Sequence, residues 1–230
     1  MRVLYLCGAG NSEAVRLALT INARQGRWDR IVLLDDDAAK HGLSMLGVEI
    51  VGPFAMLGDR DDDMAEVANL IARTTARRAQ AQQRIAAFDV RFARLVHPEV
   101  HTGGAELGHG VIVYQHATVG PEVSLGDGSV VFMHAAVGHE STVGRGCIVA
   151  PGAIVNARVR LGNGVYVGSN AVILPEITVG PGATIAAGSV AIEDVPAGAT
   201  VLGVPGRILP LHRPLANGHP NGARSAGVTS

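Results

Sequence analysis

An aliphatic residue recurs at every sixth position from Leu107 to Ile185 without interruption. The series runs Leu107, Val113, Val119, Leu125, Val131, Val137, Val143, Val149, Val155, Leu161, Val167, Ile173, Val179 and Ile185, and Ala191 continues the frame. The residue after each is often Gly, as at Gly108, Gly120, Gly138, Gly144 and Gly168. The residue four places on is usually small or Val, as at Ala117, Ser129, Ala135, Cys147 and Ala171. A period of six fits neither a helix at 3.6 nor a free-standing strand at two. It is the hexapeptide signature of a parallel β-helix, in which a repeat cannot bury its apolar residue alone and stacks on the next. A core of small aliphatics agrees with a chain that is 47% hydrophobic but only 3% aromatic, with 30 glycines for tight corners.

The first hundred residues read differently. Val3–Cys7 forms a short apolar strand, followed by Gly8-Ala9-Gly10-Asn11-Ser12-Glu13 and a helical pattern from Ala14 to Ala23. Further strands are expected at Ile31–Leu34, Val48–Val51, Asn69–Ala72 and Phe92–Val96, with a helix from Arg73 to Phe88. Alternating strands and helices predict a small α/β domain with a parallel sheet over 1–100. The solenoid occupies 101–210, and the Pro, Gly, Asn, Ser and Ala composition of 211–230 predicts a disordered tail. The acidic run Asp61-Asp62-Asp63 reads as a solvated loop.

A net charge of −1, with acids and bases interspersed, leaves no nucleic-acid or membrane footprint. The two cysteines, Cys7 in a strand and Cys147 at a solenoid core slot, make no disulfide framework. No stretch approaches a transmembrane span, and a cytoplasmic protein is expected.

The glycine loop supports two readings: a tight βα turn, or a site where exposed amides and the helix dipole hold a phosphate or nucleotide. Asp35 or Asp36, ending the second strand, could meet a ribose or sugar hydroxyl, or cap the next turn.

Three hexapeptides make one triangular coil, so residues eighteen apart stack at about 4.8 Å. Tyr114 then lies under Phe132, His116 under His134, and His139 beneath Ala157; Glu140 has Glu122 below and Arg158 above. His139-Glu140 is the pair with the clearest chemistry, a corner imidazole whose neighbouring carboxylate favours one tautomer and raises basicity. The competing reading makes Glu140 a surface bridge to Arg158 and His139 a solvated corner residue. The His134-x4-His139 spacing resembles the zinc pair of solenoid carbonic anhydrases. Their third histidine, two coils earlier, would fall on Pro98, with His97 one residue away, so no metal is expected.

The order of parts resembles the bacterial sugar acyltransferases of the sialic acid O-acetyltransferase type. That group includes N-acetyltransferases of nucleotide-linked 4-aminosugars such as bacillosamine and perosamine precursors. The resemblance covers residues 1–210 and rests on Gly8-Ala9-Gly10, Leu34-Asp35-Asp36, Leu95-Val96-His97-Pro98, Val137-Gly138-His139-Glu140, Ala150-Pro151-Gly152-Ala153, Gly168-Ser169-Asn170-Ala171 and Gly203-Val204-Pro205-Gly206-Arg207. It implies a Rossmann-like N-terminal domain followed by a left-handed parallel β-helix. It also implies a homotrimer binding acetyl-CoA between neighbouring prisms, and a nucleotide-sugar held by the first domain through Gly10, Asn11, Ser12, Asp35 and Asp36. His139 would match the general base and Glu140 the residue that raises its basicity. The Ala157 amide would match the one that binds the thioester carbonyl, with backbone at Ser169 and Ala187 along the pantetheine and Arg207 toward a CoA phosphate. Two positions depart from the family pattern: Ser12 stands where members often carry a loop histidine, and Ile148 where many carry one beside the acetyl group. The implied reaction is N-acetylation of a sugar amine. O-acetylation of a sialic or related sugar is the alternative, and a non-catalytic or metal-dependent solenoid trimer is a third reading.

Overall fold

The computed structural model describes residues 1–60 and 64–209. The expected loop at Asp61-Asp62-Asp63 and the expected tail over 211–230 lie outside the described residues.

The N-terminal part is a six-stranded sheet of β1 (Val3–Cys7), β2 (Arg30–Leu34), β3 (Ser44–Met45), β4 (Val48–Gly52), β5 (Glu66–Asn69) and β6 (Arg91–Phe92). Their spatial order is β3-β4-β2-β1-β5-β6. All neighbours pair parallel except β3, which folds back antiparallel on β4 and has no counterpart among the strands expected from the sequence. Leu4, Leu6 and Leu33 are fully buried in the sheet's core with Val15 and Ala18 of helix α1 (Ser12–Gln25). The helix begins two residues before the expected Ala14 because Asn11 caps it, its side-chain oxygen accepting from the Ala14 amide. Helix α2 (Thr75–Ala86) is capped in the same way by Thr74.

Two expected strands are corrected. The fourth ends at Asn69 rather than beginning there, because the Asn69 carboxamide oxygen accepts from the Ile71 amide and turns the chain out of the sheet. The expected strand Phe92–Val96 is two strands in different sheets. Arg91–Phe92 pairs with β5, whereas Leu95–Val96 pairs with Ile112–Val113 and opens the solenoid. The chain crosses between them at Ala93-Arg94, the Ala93 amide donating to Val67 O and the Leu95 amide to Val111 O.

The solenoid has three walls of two-residue strands. The first contains Ile112–Val113, Val130–Val131, Ile148–Val149, Tyr166–Val167 and Thr184–Ile185; the second Thr118–Val119, Ala136–Val137, Ile154–Val155, Val172–Ile173 and Val190–Ala191. The third contains Glu106–Leu107, Ser124–Leu125, Thr142–Val143, Arg160–Leu161 and Thr178–Val179. Paired residues are eighteen apart throughout these strands, as in Ala136 opposite Ile154 and Val143 opposite Leu161. The frame shortens only at the ends, where Leu95 meets Ile112 and Thr184 meets Thr200. The aliphatic series fills the interior, with Val131, Val137, Val149 and Val167 fully buried.

The corners need a left-handed residue, and one stands at every sixth position from Gly104 to Gly188. His116, His134 and Glu140 hold φ of 59°, and Asn170 holds 55°. The glycines that follow the core aliphatics serve another purpose. A Cβ on Gly138 would sit 2.6 Å from Ala157 N, so the next coil comes down onto bare backbone.

Candidate active site

His139 and Glu140 occupy the corner between the second and third walls, held there by the left-handed turn at Glu140 and by Gly138 packing under Ala157. The His139 Nδ1 lies 3.0 Å from Glu140 Oε1, and both side chains are half exposed. An ionised carboxylate only accepts hydrogen bonds, so in the neutral imidazole the pairing puts the proton on Nδ1 and leaves the lone pair on Nε2. The surface-bridge alternative is not the arrangement found. Arg158 turns away from Glu140 to Glu176, donating through Nε at 3.0 Å and Nη2 at 2.7 Å.

Backbone donors surround this corner. The Arg158 amide donates to His139 O at 2.9 Å, but the adjoining Ala157 amide has no hydrogen-bond partner among the described residues. The Ser169 and Ala187 amides, at the corner between the first and second walls, are free in the same sense. They lie one coil apart, tied by the Gly188 amide donating to Ser169 O. A signal for such amides was present in the sequence. The same place in the hexapeptide is proline at Pro121, Pro151, Pro175 and Pro181, so the fold does not need its N–H. At the remaining corner, side chains satisfy it instead: Asp127 Oδ1 accepts from the His109 amide and Asn163 Oδ1 from the Arg145 amide.

The glycine loop shows a different division of labour from the sequence expectation. Gly8 has φ of 107°, and its absent Cβ leaves room for Ile71. Gly10 and Ser12 are exposed, and the amides of Gly10, Asn11, Ser12 and Glu13 have no partners among the described residues. Four free amides at the head of α1 make an anion cradle. The Asn11 side chain is engaged within the chain. Besides capping α1, it donates to the Tyr114 hydroxyl at 3.0 Å, tying the loop to the solenoid. Burial pushes the Tyr114 phenol up to about 12, against the pull of Asn11 and of Arg78.

Asp35 and Asp36 are likewise taken up by the fold. Asp35 accepts from the Ala9 and Asp37 amides and from Lys40 Nζ. Burial alone would raise its pKa, but these donors outweigh it and hold the carboxyl below its ordinary value. Asp36 accepts from the Phe54 amide and from Arg84 Nη2. Ile148 is corrected as a ligand contact: it is 1% exposed, packed in the first wall between Val130 and Tyr166, and touches no open groove. Arg207 lies exposed on the closing antiparallel pair with Thr200–Leu202, without a polar side-chain partner among the described residues. The stacked columns follow the eighteen-residue register, with Tyr114 and Phe132 rings 4.7 Å apart and His116 and His134 rings 5.0 Å apart.

The family described as Bacterial transferase hexapeptide (six repeats) matches residues 158–191. No curated protein matches the chain. Among solved structures, the acetyltransferase domain of PglB from Neisseria gonorrhoeae FA1090, in complex with acetyl coenzyme A, is 28% identical. The likeness covers 90% of this chain and 99% of that one, with a TM-score of 0.82. A variant of perosamine N-acetyltransferase from Caulobacter crescentus, in complex with CoA and GDP-perosamine, shares the fold at 22% identity. It covers 90% of this chain and 96% of that one, with a TM-score of 0.81. WeeI from Acinetobacter baumannii AYE is similar in fold at 20% identity and a TM-score of 0.79, over 91% of this chain and 100% of that one. In its repeat the chain matches the bacterial transferase hexapeptide, and in its architecture it is similar to the acetyltransferase domain of PglB over nearly the whole of both chains.

Proposed function

We propose that the chain is an acetyl-CoA-dependent N-acetyltransferase acting on the amine of a nucleotide-linked 4-aminosugar. The observation that carries this reading is the His139–Glu140 pair at 3.0 Å beside the free Ala157 amide. In this reading the sugar amine attacks the thioester carbonyl while His139 Nε2 takes its proton. The oxyanion is met by the Ala157 N–H, the C–S bond breaks, and CoA leaves as the thiolate. Glu140 holds the imidazole in the productive tautomer and stabilises the imidazolium. General-base help is worth about 10²–10⁴-fold and an oxyanion donor about 10²–10³-fold. The pantetheine runs past the Ser169 and Ala187 amides, with Arg207 toward a CoA phosphate.

The acceptor half of the reading assigns residues 1–100 to the nucleotide-sugar and 101–210 to the donor. The strand order, apart from the β3 hairpin, is that of a Rossmann-like sheet, whose ligands sit outside the carboxyl ends of the strands. The four free amides from Gly10 to Glu13 suit a pyrophosphate there. Since Asn11 and Asp35 are engaged within the chain, acceptor recognition in this reading falls to the loop backbone, Ser12 and the half-exposed Asp36.

The solenoid is read as a left-handed β-helix that assembles as a trimer through its second wall. The outward residues of that wall are Thr118, Ala136, Ile154, Val172 and Val190, with Ile154 41% exposed, whereas the third wall presents Glu106, Ser124, Thr142, Arg160 and Thr178. The second wall is bounded by the His116–His134 corner on one side and the His139 corner on the other. A closed three-fold ring joins unlike edges, so His139 of one protomer faces the neighbour's first-wall corner and glycine loop. Each site then draws on two chains.

The test is thiol release from acetyl-CoA against UDP-, GDP- and TDP-linked 4-aminosugars and free sialic acid, with His139→Ala in parallel. Turnover of one aminosugar, lost in the variant, is the expected result. Turnover of sialic acid alone would replace N- with O-acetylation, and CoA binding without turnover of any acceptor would overturn the assigned substrate class.

A further inference from the structure

A groove of about 850 Å³ lies away from His139, between α2 and the corner that joins the third wall to the first. Arg78, Arg91 and Arg145 line it, against a single carboxylate, Asp127. One oxygen of that carboxylate already accepts from the His109 amide. Neither Arg91 nor Arg145 has an ion pair among the described residues, in a chain whose acids and bases nearly balance. The other polar groups are chiefly donors. Among the described residues the Asp127 and Asn163 amides have no partner, and the Asn163 carboxamide, its oxygen engaged by the Arg145 amide, retains an unpaired NH₂.

Arg78 supplies an independent pointer. It is 1% exposed and has no carboxylate partner among the described residues. Nε donates to Gly128 O and Nη1 to Asn69 O and Ile71 O, but Nη2 has no acceptor among the described residues. Its Nη2 is covered by protein and would not touch a ligand, but an unpaired buried guanidinium is an uncompensated positive charge beside the groove and favours an anion there.

The corner itself is kept bare. Its left-handed position is glycine in every coil: Gly110, Gly128, Gly146, Gly164 and Gly182. Conformation alone does not demand this, since His116, Glu122, His134, Glu140, Arg158, Asn170 and Glu176 hold the equivalent φ at the other corners. Nor does packing, since a Cβ on Gly146 or Gly164 would meet nothing within 4 Å. The missing side chains leave a backbone floor beneath Arg145 and Asn163, with Phe92 as an apolar wall.

We propose that this groove binds a phosphorylated small molecule. Arg91, Arg145 and the Asp127 and Asn163 amides would hold its phosphate oxygens, and its apolar portion would lie against Phe92. The site is separate from the His139 corner and does not depend on the reaction assigned there.

The experiment is calorimetric titration of the full chain with pyrophosphate, and separately with citrate, in the presence of saturating CoA. Parent, Arg145→Gln, Arg91→Gln and Gly164→Asn proteins are compared. Asparagine fits this corner conformation at Asn170, so Gly164→Asn fills the groove without backbone strain. Pyrophosphate is expected to bind the parent with CoA present, at least about tenfold more weakly after either arginine substitution, as befits loss of a charge-assisted hydrogen bond. Gly164→Asn is expected to block binding at an unchanged melting temperature. Absence of binding to the parent, equal affinity in all variants, or loss of binding when CoA is added would overturn the proposal. Citrate binding as tightly as pyrophosphate would overturn the phosphate class.

Discussion

Proline already occupies the Ala157 place in the hexapeptide at Pro121, Pro151, Pro175 and Pro181, which makes Ala157→Pro an unusually clean perturbation. It deletes one N–H from a position whose ring the corner accepts elsewhere. No intrachain hydrogen bond is broken, because the Ala157 amide has no partner among the described residues. Stability should therefore stay level or rise by about 0.4–1 kcal/mol, through fewer unfolded conformations. Catalysis should not stay level. If the amide meets the thioester oxyanion, its removal costs about 10²–10³-fold in kcat, with KM for the donor little changed. Thiol-release kinetics on the identified acceptor, with a thermal melt of the same preparation, separate the two effects. Ala187→Pro is the internal comparison, since removing a hydrogen bond to the pantetheine should raise the donor KM and spare kcat. Parental kcat in Ala157→Pro, with fold and CoA binding intact, would refute the oxyanion assignment.

Three further outcomes are expected. Gly138→Ala and Gly126→Ala each drive a Cβ into the next coil, at 2.6 Å from Ala157 N and 2.8 Å from Arg145 N. Each should cost about 1–3 kcal/mol, or about 2–4 °C in melting temperature per kcal/mol. Only Gly138→Ala should also depress kcat, because it displaces the catalytic corner; equal kcat losses in both would contradict that. Glu140→Gln keeps the shape but removes the charge and permits the wrong imidazole tautomer, so kcat should fall about 10–100-fold with donor affinity unchanged. Parental turnover in that variant would reduce Glu140 to a surface residue. Asp35→Asn should destabilise the chain by about 1–2 kcal/mol at neutral pH, because it weakens the charge-assisted bonds to two amides and to partly exposed Lys40. Because the folded carboxyl is held below its ordinary value, that stabilisation is full above the unfolded value and fades as pH falls through the folded one. Melts of parent and variant should therefore converge in acid, and a constant gap down to pH 2 would deny the ionised role.

The hexapeptide series specified the solenoid almost completely. In a stacked coil every contact is a fixed distance along the chain, so the pairing of Ala136 with Ile154 and the stacking of Tyr114 on Phe132 follow from counting. The adjacency of His139 to the Ala157 backbone follows by the same arithmetic, and the His139–Glu140 hydrogen bond needs only sequence neighbours at a corner. Counting fails wherever side chains compete for backbone donors or the chain changes sheets. Asn11 and Asp35 look like ligand residues in the sequence, yet one is drawn to Tyr114 and the other to the Ala9 amide by contacts that no local pattern encodes. The single apolar run Phe92–Val96 divides between two sheets because Val67 and Val111, far apart in sequence, each claim one of its amides. Where α2 leaves a groove against bare glycine is likewise decided only when the two halves of the chain pack together. The repeat fixes distance along one axis, and only the tertiary structure fixes what lies beside it.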